Sequence, residues 1–242
     1  MRATLLPYRP RTDVGFARAC CRFSGWHIGE KGGWCKQSNF EGVARVPLLL
    51  HVPGMPAGQR TQALVEMVDL MPTLLELTGL TIRDAAELEG VSLVPLLQLS
   101  RAPGQARRAL DAAAHWKNAT FTCYPRCCGP HGWHGGCNAT NAFDTSNQCT
   151  TTASSDFFAM GYSIRSVDWR YTRWMVWDGA SLSPLWDSVV GEELYDHRGD
   201  VAAFDIDHFE NVNLVTDESL REVRARMEGA LRLGWRAARP KV

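Results

Sequence analysis

A chain of 242 residues, 45% hydrophobic and 21% charged, holds enough apolar material for a packed core, which excludes wholesale disorder. Lys plus Arg and Asp plus Glu are equal at 26 each, so no net field favours nucleic acid or an anionic membrane surface, and a polyanionic ligand must be held by local groups. The longest apolar runs, such as Val46 to Leu50 and Val91 to Leu97, fall far short of the roughly 20 residues that span a bilayer, so no membrane span is expected.

Residues 1 to 24 show no sustained period and receive no structural assignment. Their arginines are not followed by a continuous apolar stretch and a small-residue cleavage site, so they do not read as a secretory signal. From Gly25 to residue 98 the pattern is α/β. Val46 to Val52, bounded by Arg45 and the turn Pro53-Gly54, predicts a buried parallel strand. Leu64 to Leu70 predicts another strand, feeding a helix with Pro72 in its first turn, Leu74, Leu75, Leu77 and Leu80 along it, and Gly79 at its stop. Glu89 to Leu97 predicts a turn and a short helical segment.

Residues 99 to 156 are rich in Gly, Thr, Asn, Ser and Cys and too long for an ordinary connection, so they read as an inserted loop. Residues 157 to 242 then form a smaller subdomain. In it Tyr162 to Val176 predicts antiparallel strands with one wet face, and Glu193-Leu194-Tyr195 a further short strand. From Thr216, a candidate N-cap followed by Asp217 and Glu218, a helix presents Leu220, Val223, Met227, Ala230 and Leu231 on one face.

Five of the eight cysteines (Cys123, Cys127, Cys128, Cys137 and Cys149) lie in the insert beside two N-glycosylation sequons, at Asn118 and Asn138. Together they point to an oxidising, secretory-pathway compartment. Cys123, Cys127, Cys128, His131, His134 and Cys137 could also ligate zinc; disulfides are the preferred reading and their connectivity stays open.

The segment Gly25-Trp26-His27-Ile28-Gly29-Glu30-Lys31-Gly32-Gly33-Trp34-Cys35-Lys36-Gln37-Ser38-Asn39-Phe40-Glu41 is a glycine-rich loop carrying lysines ahead of the strand Val46-Pro47-Leu48-Leu49-Leu50. Glycines let a backbone approach a ligand closely, and Lys36 offers a compact ammonium to an anion; the plain alternative is a turn with solvated charges. A lone His27 lacks a defined partner and reads as structural, and Cys35 could be a free thiol, a disulfide partner or, the preferred reading, a small buried hydrophobe.

The order of these residues resembles the sulfatase family. So do Val65-Glu66-Met67-Val68-Asp69-Leu70-Met71-Pro72-Thr73-Leu74-Leu75, Gly90 to Leu97, Met160 to Thr172, Glu193-Leu194-Tyr195-Asp196-His197 and Asn211 to Leu214, with Gly161 to Thr172 most like the iduronate-2-sulfatase branch. The resemblance implies the C-terminal part of an alkaline-phosphatase-like α/β fold completed by a smaller antiparallel sheet and a terminal helix. It implies hydrolysis of sulfuric esters on a sulfated carbohydrate, a lysosomal or extracellular setting, and Lys36 as the residue that contacts substrate sulfate. His197 follows a family pattern that is structural.

The same resemblance implies formylglycine, made from a Cys/Ser-x-Pro-x-Arg motif, and a calcium ion held partly by an Asp-His pair just before Gly25. Here Phe23-Ser24 stand in that place, and no such motif occurs in the 242 residues. No catalytic and no metal-binding residue is therefore assigned, and the chain is expected to be an incomplete sulfatase, inactive alone, with residues 1 to 24 foreign to the family. The competing expectation is a non-catalytic glycan- or protein-binding pseudoenzyme with a disulfide-rich loop. Oligomeric state is left open.

Overall fold

The computed structural model describes residues 2–4, 18–21, 25–55, 58–81, 87–98, 116–127, 149, 152–200 and 208–240, with backbone alone for 2–4, 18–21 and 34–35. The chain is mixed α/β and divides into two compact units. One comprises residues 1–23, 45–120 and 236–242, and the other residues 24–44 and 121–235. The stretch 25–98, read from sequence as one piece, is thus shared between them.

In the first unit, β1 (Arg2–Thr4), β2 (Arg18–Cys21), β5 (Pro47–His51) and β6 (Arg60–Thr61) form a sheet in the order β2-β5-β1-β6. The strand expected from Val46 to Val52 is β5, and it runs parallel to β1 but antiparallel to β2. Residues 1 to 24, unassigned from sequence, therefore supply both neighbours of β5. The core beneath gathers Leu48, Leu50, Val65, Leu93, Leu97 and Trp116.

Leu64 to Leu70 is not a strand. A 3-10 turn at Met67–Asp69 leads into α2 (Leu70–Thr78), because Glu66 and Asp69 form a capping box in which the Glu66 N–H donates to Asp69 Oδ2 at 2.8 Å. The fully buried Asp69 carboxylate also accepts from the Val91 N–H at 2.7 Å and from Lys117 Nζ at 2.6 Å, so its desolvation is offset by three donors. Gly79 closes α2 in the left-handed conformation, φ 66°, as its type and place predict. A short helix α3 (Val94–Gln98) comes next. Among the described residues no helix is long and apolar enough to cross a membrane.

The second unit contains a two-stranded ladder, β3 (His27–Ile28) with β4 (Trp34–Cys35), then α1 (Glu41–Ala44), then a sheet in the order β10-β9-β8-β7. Strand β7 (Thr120–Arg126) lies inside the stretch read as a loop. It is an edge strand, a place where a proline such as Pro125 is tolerated. The disulfide Cys127–Cys149 closes the 22-residue segment behind it and removes Cys127 from any zinc set; residues 128 to 148, with His131, His134 and Cys137, lie outside the described residues.

Strands β8 (Ala159–Arg165) and β9 (Trp169–Asp178) pair antiparallel, and β10 (Ser183–Asp196) is 14 residues long rather than short. The expected wet face is absent from β8 and the first half of β9, which are buried on both sides. Helix α4 (Arg221–Leu233) packs on one side with Met227 and Leu231 buried, and Arg173 reaches it by donating to Glu228 at 2.8 Å. The segment ending in α1 covers the other side. Asp217, not Thr216, caps the turn before α4 by accepting from the Ser219 N–H.

Candidate functional site

The glycine-rich segment forms a small hairpin whose shape is set by its glycines. Gly29 (φ 126°) and Gly32 (φ 66°) take backbone conformations that side-chain-bearing residues rarely adopt. Gly25 lies so close to α1 that a Cβ there would sit 1.7 Å from the Gly42 carbonyl oxygen, and its N–H donates to the Val43 carbonyl at 2.9 Å. Lys31, with a Cβ, is nevertheless left-handed at φ 58°. Its ammonium donates to the Phe209 carbonyl at 2.7 Å and to Asn211 Oδ1 at 2.5 Å, tethering the turn to residues far along the chain in the same unit.

The register pairs His27 with Cys35 and Ile28 with Trp34. His27 points inward: it is buried, its Nε2 lies 2.9 Å from Ser38 Oγ, and its ring meets Phe40 edge-on. Ile28 points out, and its N–H donates to Glu30 Oε2 at 2.6 Å, which holds the Glu30 carboxyl below the ordinary glutamate range. Lys36 follows Cys35, the last residue of the ladder, and is exposed.

The residues just after Lys36 are held firmly. Asn39 Nδ2 donates to the Gly161 carbonyl of β8 at 3.0 Å, and the Glu41 N–H donates to Glu210 Oε2 at 2.8 Å. Behind these bonds is a buried ionic cluster. Arg170, 2% exposed, donates Nε to Glu210, Nη2 to Glu41 and Nη1 to Ser163 Oγ at 3.2 Å. Arg165 donates Nε to Glu41 and Nη2 to Asp200, both at 3.3 Å. His197, stacked on Phe209, bridges Glu210 at 3.1 Å and Asp200 at 3.4 Å.

Three carboxylates thus face two guanidiniums and an imidazole in a dry interior. Burial alone would push the Glu210 carboxyl up, but Arg170 beside it and the His197 hydrogen bond reverse that and hold it below its ordinary value. Glu210 is itself left-handed at φ 64°, a strained conformation that these contacts keep in place.

Glu41, His197 and Asp200 bring donor atoms within 4.8 Å of one another, a spacing that could hold a metal. The set does not fit a calcium site. Both carboxylates are already engaged by Arg165 or Arg170, whose positive charge opposes a divalent cation. Residues 22 to 24, the place of the expected metal-binding pair, lie outside the described residues.

Of the other expected positions, Asn118 is exposed and Asn138 lies outside the described residues. The ionic cluster was missed from sequence. Its available signal was charge in the wrong place, with arginines at 165 and 170 next to the buried Ile164 and Tyr171.

Residues 29–120 match the family model for N-sulphoglucosamine sulphohydrolase, C-terminal. Iduronate 2-sulfatase of Mus musculus is 30% identical over 208 residues, covering 71% of this chain and 34% of that protein. The chain is related to the sulfatases. The Homo sapiens iduronate 2-sulfatase is 26% identical over 211 residues, again 71% of this chain and 34% of its own length. This sulfatase relative therefore spans about a third of the length of these curated proteins. A solved sulfatase structure from Bacteroides thetaiotaomicron superposes with a TM-score of 0.47 at 20% identity, over 81% of this chain and 30% of that one.

Proposed function

We propose that this chain serves in a sulfuric ester hydrolase of the sulfatase type acting on sulfated carbohydrate, with Lys36 as the group that grips the substrate sulfate. The observation carrying this reading is the placement of Lys36. It is an exposed ammonium at the end of a hairpin whose base is locked by Asn39, Glu41 and the buried Arg165–Arg170 cluster. A fixed cation offsets the negative charge on sulfuryl oxygens without reorganising when the anion arrives. The ordered sulfatase similarity supports the same assignment.

In a complete enzyme of this type, formylglycine and calcium supply the nucleophile and the polarising charge. No residue of this chain is given either task, and an alkaline-phosphatase-like α/β domain is the fold in which the first unit is read. The exposed sequon at Asn118 and the Cys127–Cys149 disulfide support passage through the secretory pathway.

Isothermal titration of the whole chain with an aryl sulfate tests the reading. Losing a charge-assisted contact predicts that Lys36→Ala weakens binding roughly ten- to a hundredfold, with Lys36→Arg partly retaining it. Equal affinity in wild type and Lys36→Ala would overturn it. With calcium present, the chain alone is expected to release no sulfate, and Lys36-dependent release would contradict that.

The second reading is a non-catalytic glycan- or protein-binding role. It is favoured by the stapled insert. Sulfate-independent binding of a glycan or a protein would favour it.

A further inference from the structure

The hairpin that presents Lys36 also presents an indole. The β3–β4 ladder ends where His27 pairs with Cys35, and the next residues on its two arms are Trp26 and Lys36. Side chains alternate along this edge, with Trp26 58% exposed, His27 buried and Ile28 69% exposed, and Lys36 at the same end of the ladder is exposed as well. The backbone entering Trp26 is fixed, because the preceding Gly25 is hydrogen-bonded to Val43 and pressed against the Gly42 carbonyl. The one acidic side chain on the hairpin, Glu30, lies at its turn end and is folded back on the Ile28 N–H, away from the Lys36 end.

We infer that Trp26 and Lys36 form a single two-part subsite for a sulfated pyranose. The indole stacks on an apolar C–H face of the sugar ring while the ammonium pairs with its sulfate. An aromatic plane gives a ring large contact area at little conformational cost, and a neighbouring point cation selects the ring that carries an anion. The inference rests on the reading of Lys36 as the sulfate contact and adds the part that recognises the sugar rather than the sulfate.

The test uses the whole chain in isothermal titration with three kinds of probe. These are glucose, galactose and N-acetylglucosamine sulfated on the primary hydroxyl, the same sugars unsulfated, and inorganic sulfate. Trp26→Ala should weaken the best-bound sulfated sugar about tenfold and leave inorganic sulfate unchanged, while Trp26→Phe keeps most of the sugar affinity. Lys36→Ala should abolish the preference for sulfated over unsulfated sugar. Thermal melts confirm that each variant is folded.

Unchanged sugar affinity in Trp26→Ala alongside a loss in Lys36→Ala overturns the sugar platform and leaves the Lys36 reading standing. Unchanged sulfate preference in Lys36→Ala overturns the Lys36 reading and the pairing with it. No sulfated-sugar binding by the wild-type chain overturns both.

Discussion

Replacing Arg170 with methionine should do more damage than any surface substitution in this protein. Arg170 is 2% exposed and donates to Glu41, Glu210 and Ser163, with Glu41 and Glu210 each 5% exposed. Methionine fills similar space but supplies no charge, so both carboxylates face each other in a dry interior with one fewer cation. Removing one partner of a buried ion pair costs about 3–5 kcal/mol, because the remaining charge cannot return to water. With a urea dependence near 2 kcal/mol per molar, the unfolding midpoint should fall by about 2 M. Hydrogen exchange of the β8 and β9 amides reads the second unit specifically. Arg198→Met is the control: its pair with Asp196 is 61% and 30% exposed at the side chains, and such surface pairs contribute about 1 kcal/mol or less. Adding Glu210→Gln to Arg170→Met should recover part of the loss. The reasoning fails if Arg170→Met costs no more than Arg198→Met.

Acid should weaken the second unit through Glu210. Its carboxyl is held below the ordinary 4.5 in the folded state, so its contribution is complete above that value and disappears as pH falls below it; Glu210→Gln should flatten this acid limb of a stability-against-pH curve. Cutting the Cys127–Cys149 disulfide by paired serine substitutions should cost about 3 kcal/mol from the closed 22-residue segment, read as a drop in the urea midpoint of the second unit. Expression through a secretory host should add a glycan at Asn118, seen as a mass loss on enzymatic deglycosylation that Asn118→Gln removes.

Features whose causes are local were legible in the sequence. The apolar run of β5, the Gly79 stop of α2 and the amphipathic face of α4 carrying Met227 and Leu231 are each set within one or two turns of chain. Leu64 to Leu70 looked like a strand because apolar content alone does not show that the Asp69 side chain will take the Glu66 N–H and start a helix. Two of the donors to Asp69 lie 22 and 48 residues away. Strand β7 was hidden by its sequon and by Pro125, which an edge strand tolerates. The ionic cluster was the least visible, since Glu41 meets Arg165, Arg170 and Glu210 at separations of 124, 129 and 169 residues, and charges in β8 and β9 suggested a wet face.

At the candidate site, Lys36 is singled out by a family resemblance of the residues around it, and its setting could not be read from them. Only the fold shows that Lys31, Asn39 and Glu41 fasten the hairpin to residues far along the chain, and only the β3–β4 ladder sets Trp26 and Lys36 at its one end.

The central claim is that Lys36 grips the sulfate of a sulfated sugar, and a crystal structure of the chain with such a sugar bound tests it most directly. The account predicts a sulfate oxygen within about 3 Å of Lys36 Nζ. A sugar bound with its sulfate elsewhere, and Lys36 in solvent, would contradict it.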